Sequence, residues 1–465
     1  MFGLEKHQGI AFITDRKEVL TYPDLLSEIN HFSGRLEGKG LLFCLCKNRL
    51  ASIIGYIACI EHHIPVVLLD GAKEASMITD LIQLYRPKYI WAPTDRMCEF
   101  PQGRSVYHLL DYTLLVYEWD CPVIHPDVSL LLTTSGSTGS PKLVKLTERN
   151  LFTNAEAIAE YLRIEADEKP ITSLPMYYSF GMSVINSHLI KGATILLTDK
   201  TLMQKDFWTF FKDYGATSIA GVPYTYEMLR RLRFFRMDLP SLKTMIQAGG
   251  KLNADLVKEY VTDAKSKGRE FIVMYGQTEA GPRMSWLPFE FALEKCSSIG
   301  IAIPGGRLYI TDTEGRIITA PNVDGELVFE GPGVCMGYAE IPDDLAKGDE
   351  NHGVLHTGDI ARFDEDGFFY ITGRMKRFVK VWGNRCNLDA TEQLVKEITM
   401  SCACVGVDDK ITIFVTEPGI EDRIVNHLVA KMNLHASAFD VRILPVIPKK
   451  DTGKIDYPAL SGLLS

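Results

Sequence analysis

The spacing of apolar and polar residues alternates between a helical and a strand period along most of the chain. LTYPDLLSEINHFSGRL, near the N-terminus, reads as a turn followed by an amphipathic helix. LLFCLC is a short buried strand, RLASIIGYIACIEHH is helical and IPVVLLD is strand-like. The alternation continues through ERNLFTNAEAIAEYL (helix), ATILLTD (strand) and LVKEYVTDAKSKG, a helix expected to stop at Gly268. Strands that alternate with helices predict an α/β fold with parallel sheets covered on both faces. From about Ile299 the texture changes, and GRLYITDTEGRIITAPNVDGELVFEGPGVCMGY reads as short strands with D-x-x-G turns, a small β-rich subdomain over about 299–373. Beyond FYITGRMKRFVK the mixture of helix and strand returns. Charge and glycine crowd together between Gly373 and Lys376, where a domain boundary is placed, dividing the chain into 1–375 and 376–465.

With 465 residues, 46% of them hydrophobic, the chain is long enough to bury more than one core. A formal net charge of −9 argues against a broad nucleic-acid-binding face but allows a local basic pocket. The first residues mix charges into every apolar run, unlike a signal peptide. No stretch approaches the roughly 18 apolar residues of a membrane span. The best, SIIGYIACI, is cut off by Glu61, His62 and His63. A cytoplasmic protein of enzyme size is therefore expected. The ten cysteines include C-x-C pairs at Cys44/Cys46 and Cys402/Cys404 but no C-x-x-C, a spacing unlike a zinc site and expected of structural thiols.

LLTTSGSTGSPKL is the first stretch that suggests chemistry. Gly136 and Gly139 let the backbone approach a ligand, Thr134, Ser135, Ser137 and Thr138 offer hydroxyls, and Lys142 adds a cation. Such a loop suits a polyphosphate, though Ser/Thr/Gly clusters between periodic segments also serve as plain linkers. It is not a Walker A loop, because Pro141 stands in place of the second glycine and Leu143 follows the lysine. Further on, Ala248-Gly249-Gly250-Lys251 sits in a strand–turn–helix arrangement, and Tyr275-Gly276-Gln277-Thr278-Glu279 follows the apolar FIVM, at the end of a strand where open α/β sheets bind ligands. Asp359 and Arg374 suit a ribose diol and its electrostatic support. DTGK puts Lys454 on a basic turn near the C-terminus, a feature that is ordinarily only solubilising.

Taken together and in order, TTSGSTGSPK, LPMYYSFGM, AGGKL, YGQTE, GELVFEGPGVCMGY, HTGDIARFDEDGFFYITGR, KVWGNRCNLDATEQ and DTGK resemble the core motifs of the acyl-adenylate-forming (AMP-binding) superfamily: acyl-CoA synthetases, nonribosomal-peptide adenylation domains and luciferases. The resemblance spans nearly the whole chain and is closest in type to a free-standing acyl-CoA or acyl-carrier-protein ligase. It implies a large N-terminal domain of α/β subdomains with a small β-rich subdomain, and a small mobile α+β C-terminal domain. It also implies a two-step reaction, in which a carboxylic acid and Mg-ATP give acyl-AMP and pyrophosphate, and a thiol of CoA or of a separate carrier protein's phosphopantetheine then displaces AMP.

The resemblance assigns roles residue by residue. Thr134, Ser135, Gly136, Ser137, Thr138, Gly139 and Lys142 would cradle the ATP phosphates, joined by Thr278. Glu279 matches the Mg²⁺ ligand, and Gly249, Gly250, Tyr275, Gly276 and Gln277 would line the adenine and acyl pocket. Asp359 and Arg374 would hold the ribose. Lys454 matches the lysine that bridges carboxylate and α-phosphate, Lys376 the hinge, and Lys380 with Gly383 the thiol-transfer motif. Tyr178, Phe180, Gly181, Tyr224 and Ala248 would wall an acyl pocket with no cation or anion at its centre, which suits an uncharged acid. Arg283, just past YGQTEAG, is expected in a surface salt bridge, with a contact to a polar substrate tail as the alternative.

Several positions depart from the pattern. Leu143 replaces a common glycine, Gly181 stands where amino-acid-activating relatives place an aspartate, Tyr178 replaces a frequent histidine, and Asp456 an arginine. An oxygen-dependent, luciferase-like activity has no support beyond the shared core. A catalytically silent relative that binds nucleotide as a sensor or partner module is the alternative, opposed by the presence of Thr278, Glu279, Asp359, Arg374 and Lys454.

Overall fold

The computed structural model describes residues 2–134, 142–375, 377–382, 384–407, 409–432, 434–450 and 454–464. Ser135, Gly136, Ser137, Thr138, Gly139, Lys376 and Gly383 lie outside them. The chain forms two compact units: one comprises Met1–Cys296, Ala302–Arg307 and Phe329–Leu355, the other Ser297–Ile301, Leu308–Val328 and His356–Ser465.

Two mixed sheets build the first unit. One includes, in order, Ser285–Leu287, Glu270–Tyr275, Thr244–Gln247, Ser218–Gly221, Pro170–Ile171, Ile195–Leu197, Ile10–Thr14 and Val19–Thr21. The other runs Gly337–Ala339, Lys142–Thr147, Val128–Thr134, Val66–Asp70, Leu42–Cys46, Tyr89–Pro93, Tyr112–Val116, Arg104–Leu109. Their inner strands are parallel, as the alternation of elements predicts. Hairpins add antiparallel strands at the edges. The helices start where local chemistry directs. Thr21 and Asp24 form a reciprocal cap for Tyr22–Ser33, with Pro23 in the first turn where its missing N–H costs nothing. Thr147 caps Glu148–Tyr161 and Asn253 caps Ala254–Ser266, which ends just before Gly268 in a left-handed turn at φ +65°. Leu50–Glu61 is apolar all round and buried all round, so it is a core helix and not a surface one.

In the second unit an antiparallel sheet includes the pair Val354–Phe363 and Phe369–Arg374, whose register sets Asp359 opposite Arg374. A two-stranded ribbon, Phe378–Val381 with Asn384–Asn387, precedes a three-stranded sheet, Cys402–Val407, Lys410–Val415 and Phe439–Ile443. Helices Leu388–Lys396 and Glu421–Met432 close a separate core around Val395, Ile413, Ile424 and Leu428. All ten cysteines are free, and among the described residues no cluster could hold a metal through His, Cys, Asp and Glu. No helix of the described residues is long and apolar enough to cross a membrane.

Candidate active site

The phosphate-loop candidate is bracketed by a hairpin. Val128–Thr134 and Lys142–Thr147 pair antiparallel with Thr134 opposite Lys142. The short strand Gly337–Ala339 lies along the outer side of Lys142–Thr147, placing Ala339 opposite Leu143 and Gly337 opposite Lys145. Lys145 is wholly buried, and its ammonium donates to the carbonyls of Asp344 and Lys347, both at 3.0 Å. Leu143, the residue in place of glycine, is also fully buried and packs with Met336, Ala339 and Leu345. The departure therefore serves the core.

This pairing brings Tyr338 and Glu340 to Lys142. The lysine's ammonium is paired with the Glu340 carboxylate and lies 5.7 Å from the centroid of the Tyr338 ring. Tyr338 in turn donates to Glu279 Oε1 at 2.8 Å. Burial first, then the Glu279 carboxylate, raises the phenol well above its ordinary range, so it remains a donor. Lys142 and Glu279, distant in sequence, are thus joined through one tyrosine. Sequence reasoning missed Tyr338 and Glu340 although Tyr338 closes a quoted motif, because only strand register shows what they face.

Thr278 and Glu279 lie in a short helical turn after the strand Glu270–Tyr275. The Thr278 hydroxyl is 3.1 Å from Ser179 Oγ, and the Glu279 carbonyl accepts from the Cys335 N–H at 2.8 Å. Gln277 Nε2 approaches the Tyr275 hydroxyl at 3.4 Å. Gly276 has no room for a side chain: a Cβ would lie 1.8 Å from the Pro282 carbonyl oxygen. The Ala248–Gly250 turn is equally close-built. Gly249 has φ +81°, and a Cβ there would meet the Tyr178 hydroxyl at 2.6 Å. At Gly250 a Cβ would stand 3.1 Å from Pro223 Cγ.

Among the acyl-pocket candidates, Tyr178 and Phe180 meet edge to face with ring centroids 6.3 Å apart, Ala248 is buried, and Tyr224 is exposed. Gly181 has its own steric reason, since a Cβ would lie 2.2 Å from the Pro175 carbonyl oxygen. Arg283 corrects one expectation. It is only 3% exposed, and its guanidinium carbon lies 4.0 Å from the Phe180 ring centroid. It is no surface ion pair, and its cation lies under one of the aromatic side chains expected to wall the acyl pocket.

In the second unit Asp359 is 2% exposed, and Arg374 Nε approaches its Oδ1 at 2.9 Å. Lys380 is exposed on the strand Phe378–Val381. Lys454 is exposed on a turn closed by Lys450 N–H to Lys454 O at 2.8 Å and Asp456 N–H to Pro448 O at 2.9 Å. Asp456, in place of arginine, accepts from the Ala459 N–H at 3.2 Å. Just beyond, the Tyr457 ring stacks under the Arg377 guanidinium at 3.5 Å, and its hydroxyl donates to the buried Glu392 at 3.0 Å. Arg377 also pairs with Asp389 at 2.6 Å. This anchor of the Lys454 turn gave no sequence signal, because its members come from three separate segments.

The model of the AMP-binding enzyme family matches residues 4–339. A feruloyl-CoA synthase from an Amycolatopsis species is 30% identical over 294 residues, covering 62% of this chain and 58% of its own length. The chain thus spans under two thirds of that relative. Among solved structures, ATP-bound MatB from Rhodopseudomonas palustris superposes with a TM-score of 0.80 at 20% identity, covering 99% of this chain and 96% of that one. The o-succinylbenzoate coenzyme A synthetase of Bacillus subtilis, in complex with ATP and magnesium, gives 0.77 at 19% identity, covering 97% and 96%. The fold is that of these enzymes, and the chain belongs to the AMP-binding enzyme family, the superfamily of acyl-CoA synthetases, luciferases and nonribosomal-peptide adenylation domains.

Proposed function

We propose that this protein activates a carboxylic acid with ATP, forming acyl-AMP and pyrophosphate, and passes the acyl group to the thiol of CoA or of a carrier protein's phosphopantetheine, in the cytoplasm. The observation that carries the reading is the Lys142–Tyr338–Glu279 arrangement, which holds a cation over the face and a carboxylate at the hydroxyl of one aromatic side chain. In the first step an oxygen of the acid bonds to the α-phosphorus while the bond to the bridging oxygen breaks and pyrophosphate leaves. The acid is already ionised at neutral pH. The site therefore has to neutralise charge gathering at phosphorus and needs no general base.

In this reading Lys142 exchanges Glu340 for phosphate oxygens, together with the backbone and hydroxyls of residues 134–139. The Thr278 hydroxyl, oriented by Ser179, serves the α-phosphate. Glu279 offers a hard carboxylate oxygen, fixed by a phenol, which fits Mg²⁺. Bound there, the ion would supply positive charge to the phosphate oxygens. Gly249, Gly250, Tyr275, Gly276 and Gln277 border the adenine and acid, and Asp359, with Arg374 at its side, accepts the ribose hydroxyls. Lys454 bridges the acid and α-phosphate. Residues 376–465 then act as a mobile domain hinged at Lys376, bringing Lys380 and Gly383 to the acyl group. There the thiol sulfur bonds to the carbonyl carbon and AMP leaves. The steric closure of Gly181 supports an acid without an α-ammonium group.

Pyrophosphate release from Mg-ATP across a panel of acids, with hydroxylamine trapping and then CoA, tests the reading. Release with a trapped hydroxamate, followed by a thioester on adding CoA, is expected. Adenylate without thioester would point to a carrier protein. Nucleotide binding with no release for any acid would favour the silent relative.

A further inference from the structure

The loop after Glu270–Tyr275 returns so tightly that a Cβ on Gly276 would also fall 3.1 Å from Arg283 Cα. The Arg283 side chain runs from there beneath Phe180. Its Nη2 donates to Ser183 Oγ at a long 3.3 Å, while Nε is buried with no acceptor. Among the described residues no carboxylate pairs with it. Other buried cations are better met: Lys145 has two carbonyls and Arg377 two carboxylates. A guanidinium cannot escape by deprotonating. A ring face and the hydroxyls of Ser183 and Tyr161 compensate only part of its desolvation, so the site is built around a charge that lacks its counter-ion.

Phe180 and Ser183 share a helix with Gly181, and Phe180 packs edge to face on Tyr178, which borders Gly249. Arg283 therefore stands behind the same wall that the acid is expected to contact. We propose that Arg283 receives a second carboxylate of the substrate, so that the acid activated is a dicarboxylate held by one end and adenylated at the other. This rests on the adenylation reading above. A site with an unpaired buried cation rejects a ligand lacking the matching anion far more strongly than an apolar pocket rejects one of the wrong length.

The test compares aliphatic and aryl dicarboxylic acids of graded length with their monomethyl esters, which keep the shape and lose the distal charge, in pyrophosphate release. The preferred diacid should exceed its half-ester in kcat/KM by about 100-fold. Arg283→Met should lower the rate with the diacid by a similar factor and so abolish most of the preference for diacid over half-ester. Equal kcat/KM for diacid and half-ester in the unmodified protein, or release with neutral monoacids alone, overturns the inference while leaving adenylation standing. Release with no acid of any class removes both. Should Arg283→Met fail to fold, the comparison in the unmodified protein decides the matter by itself.

Discussion

The phenol of Tyr338 donates to the carboxylate of Glu279 at 2.8 Å, while the face of the same ring looks toward the Lys142 ammonium. Tyr338→Phe keeps the ring and deletes the donor. A hydrogen bond to a charged group contributes about 1.5–3 kcal/mol, so kcat/KM for pyrophosphate release should fall by about tenfold or more, and half-maximal activity should need more Mg²⁺. Thiolysis of supplied acyl-AMP should be unchanged. A Mg²⁺ titration that superposes on that of the parent protein would remove Tyr338 from the site.

Glu340 occupies the lysine assigned to phosphate. Glu340→Gln removes a partly exposed competitor, whose pairing is worth under about 1 kcal/mol. The variant should bind ATP up to several-fold more tightly, read by calorimetry. Weaker binding would show that Glu340 holds Lys142 in place.

Lys454→Ala should cut acyl-AMP formation by orders of magnitude and spare thioester formation from supplied acyl-AMP, whereas Gly383→Leu should do the reverse. Tyr457→Ala, which removes the ring under Arg377, should resemble Lys454→Ala in milder form. Equal loss of both half-reactions in Tyr457→Ala would mean that it only unsettles the fold around it.

Gly276→Ala forces a Cβ against the Pro282 carbonyl. The loop has to open, at a cost of about 3 kcal/mol or more, and the urea midpoint should drop accordingly. An unchanged midpoint would show that the return of this loop is looser than described.

His188 is buried, its Nδ1–H donates to the Val184 carbonyl at 2.7 Å, and burial pushes its pKa down to about 4. The unfolded chain takes up this proton near pH 6.5 and the folded one only near 4, so stability is full above about 6.5 and is lost as pH falls through that window, by roughly 3 kcal/mol in total. Urea midpoints measured down the window should decline, and less steeply in His188→Gln. Parallel slopes in the two proteins would assign the acid sensitivity elsewhere.

Most helices and inner strands were legible because each carries its own signal: the reciprocal cap at Thr21 and Asp24, the unbroken apolar surface of Leu50–Glu61, the turn at Gly268. What stayed hidden was set by pairing across the chain. Nothing local says that Tyr338 reaches Glu279, or that Arg283 runs under Phe180 and not into solvent. Leu143 looked like a defect in a phosphate loop until its packing against Met336 and Leu345 gave it another purpose. Asp456 changed in the same way, from a missing arginine to the cap of a short helix.

Lys145 gives the first unit a form of quality control. An edge strand as short as Gly337–Ala339 can slide along its neighbour, and a shift of one side-chain repeat would carry Tyr338 some 6–7 Å away from Glu279. Sliding would also strip a water-free ammonium of the carbonyls of Asp344 and Lys347. Misregistered copies are thereby made unstable as well as inactive, and the spacing of the candidate magnesium carboxylate is guarded by a charge that never meets solvent.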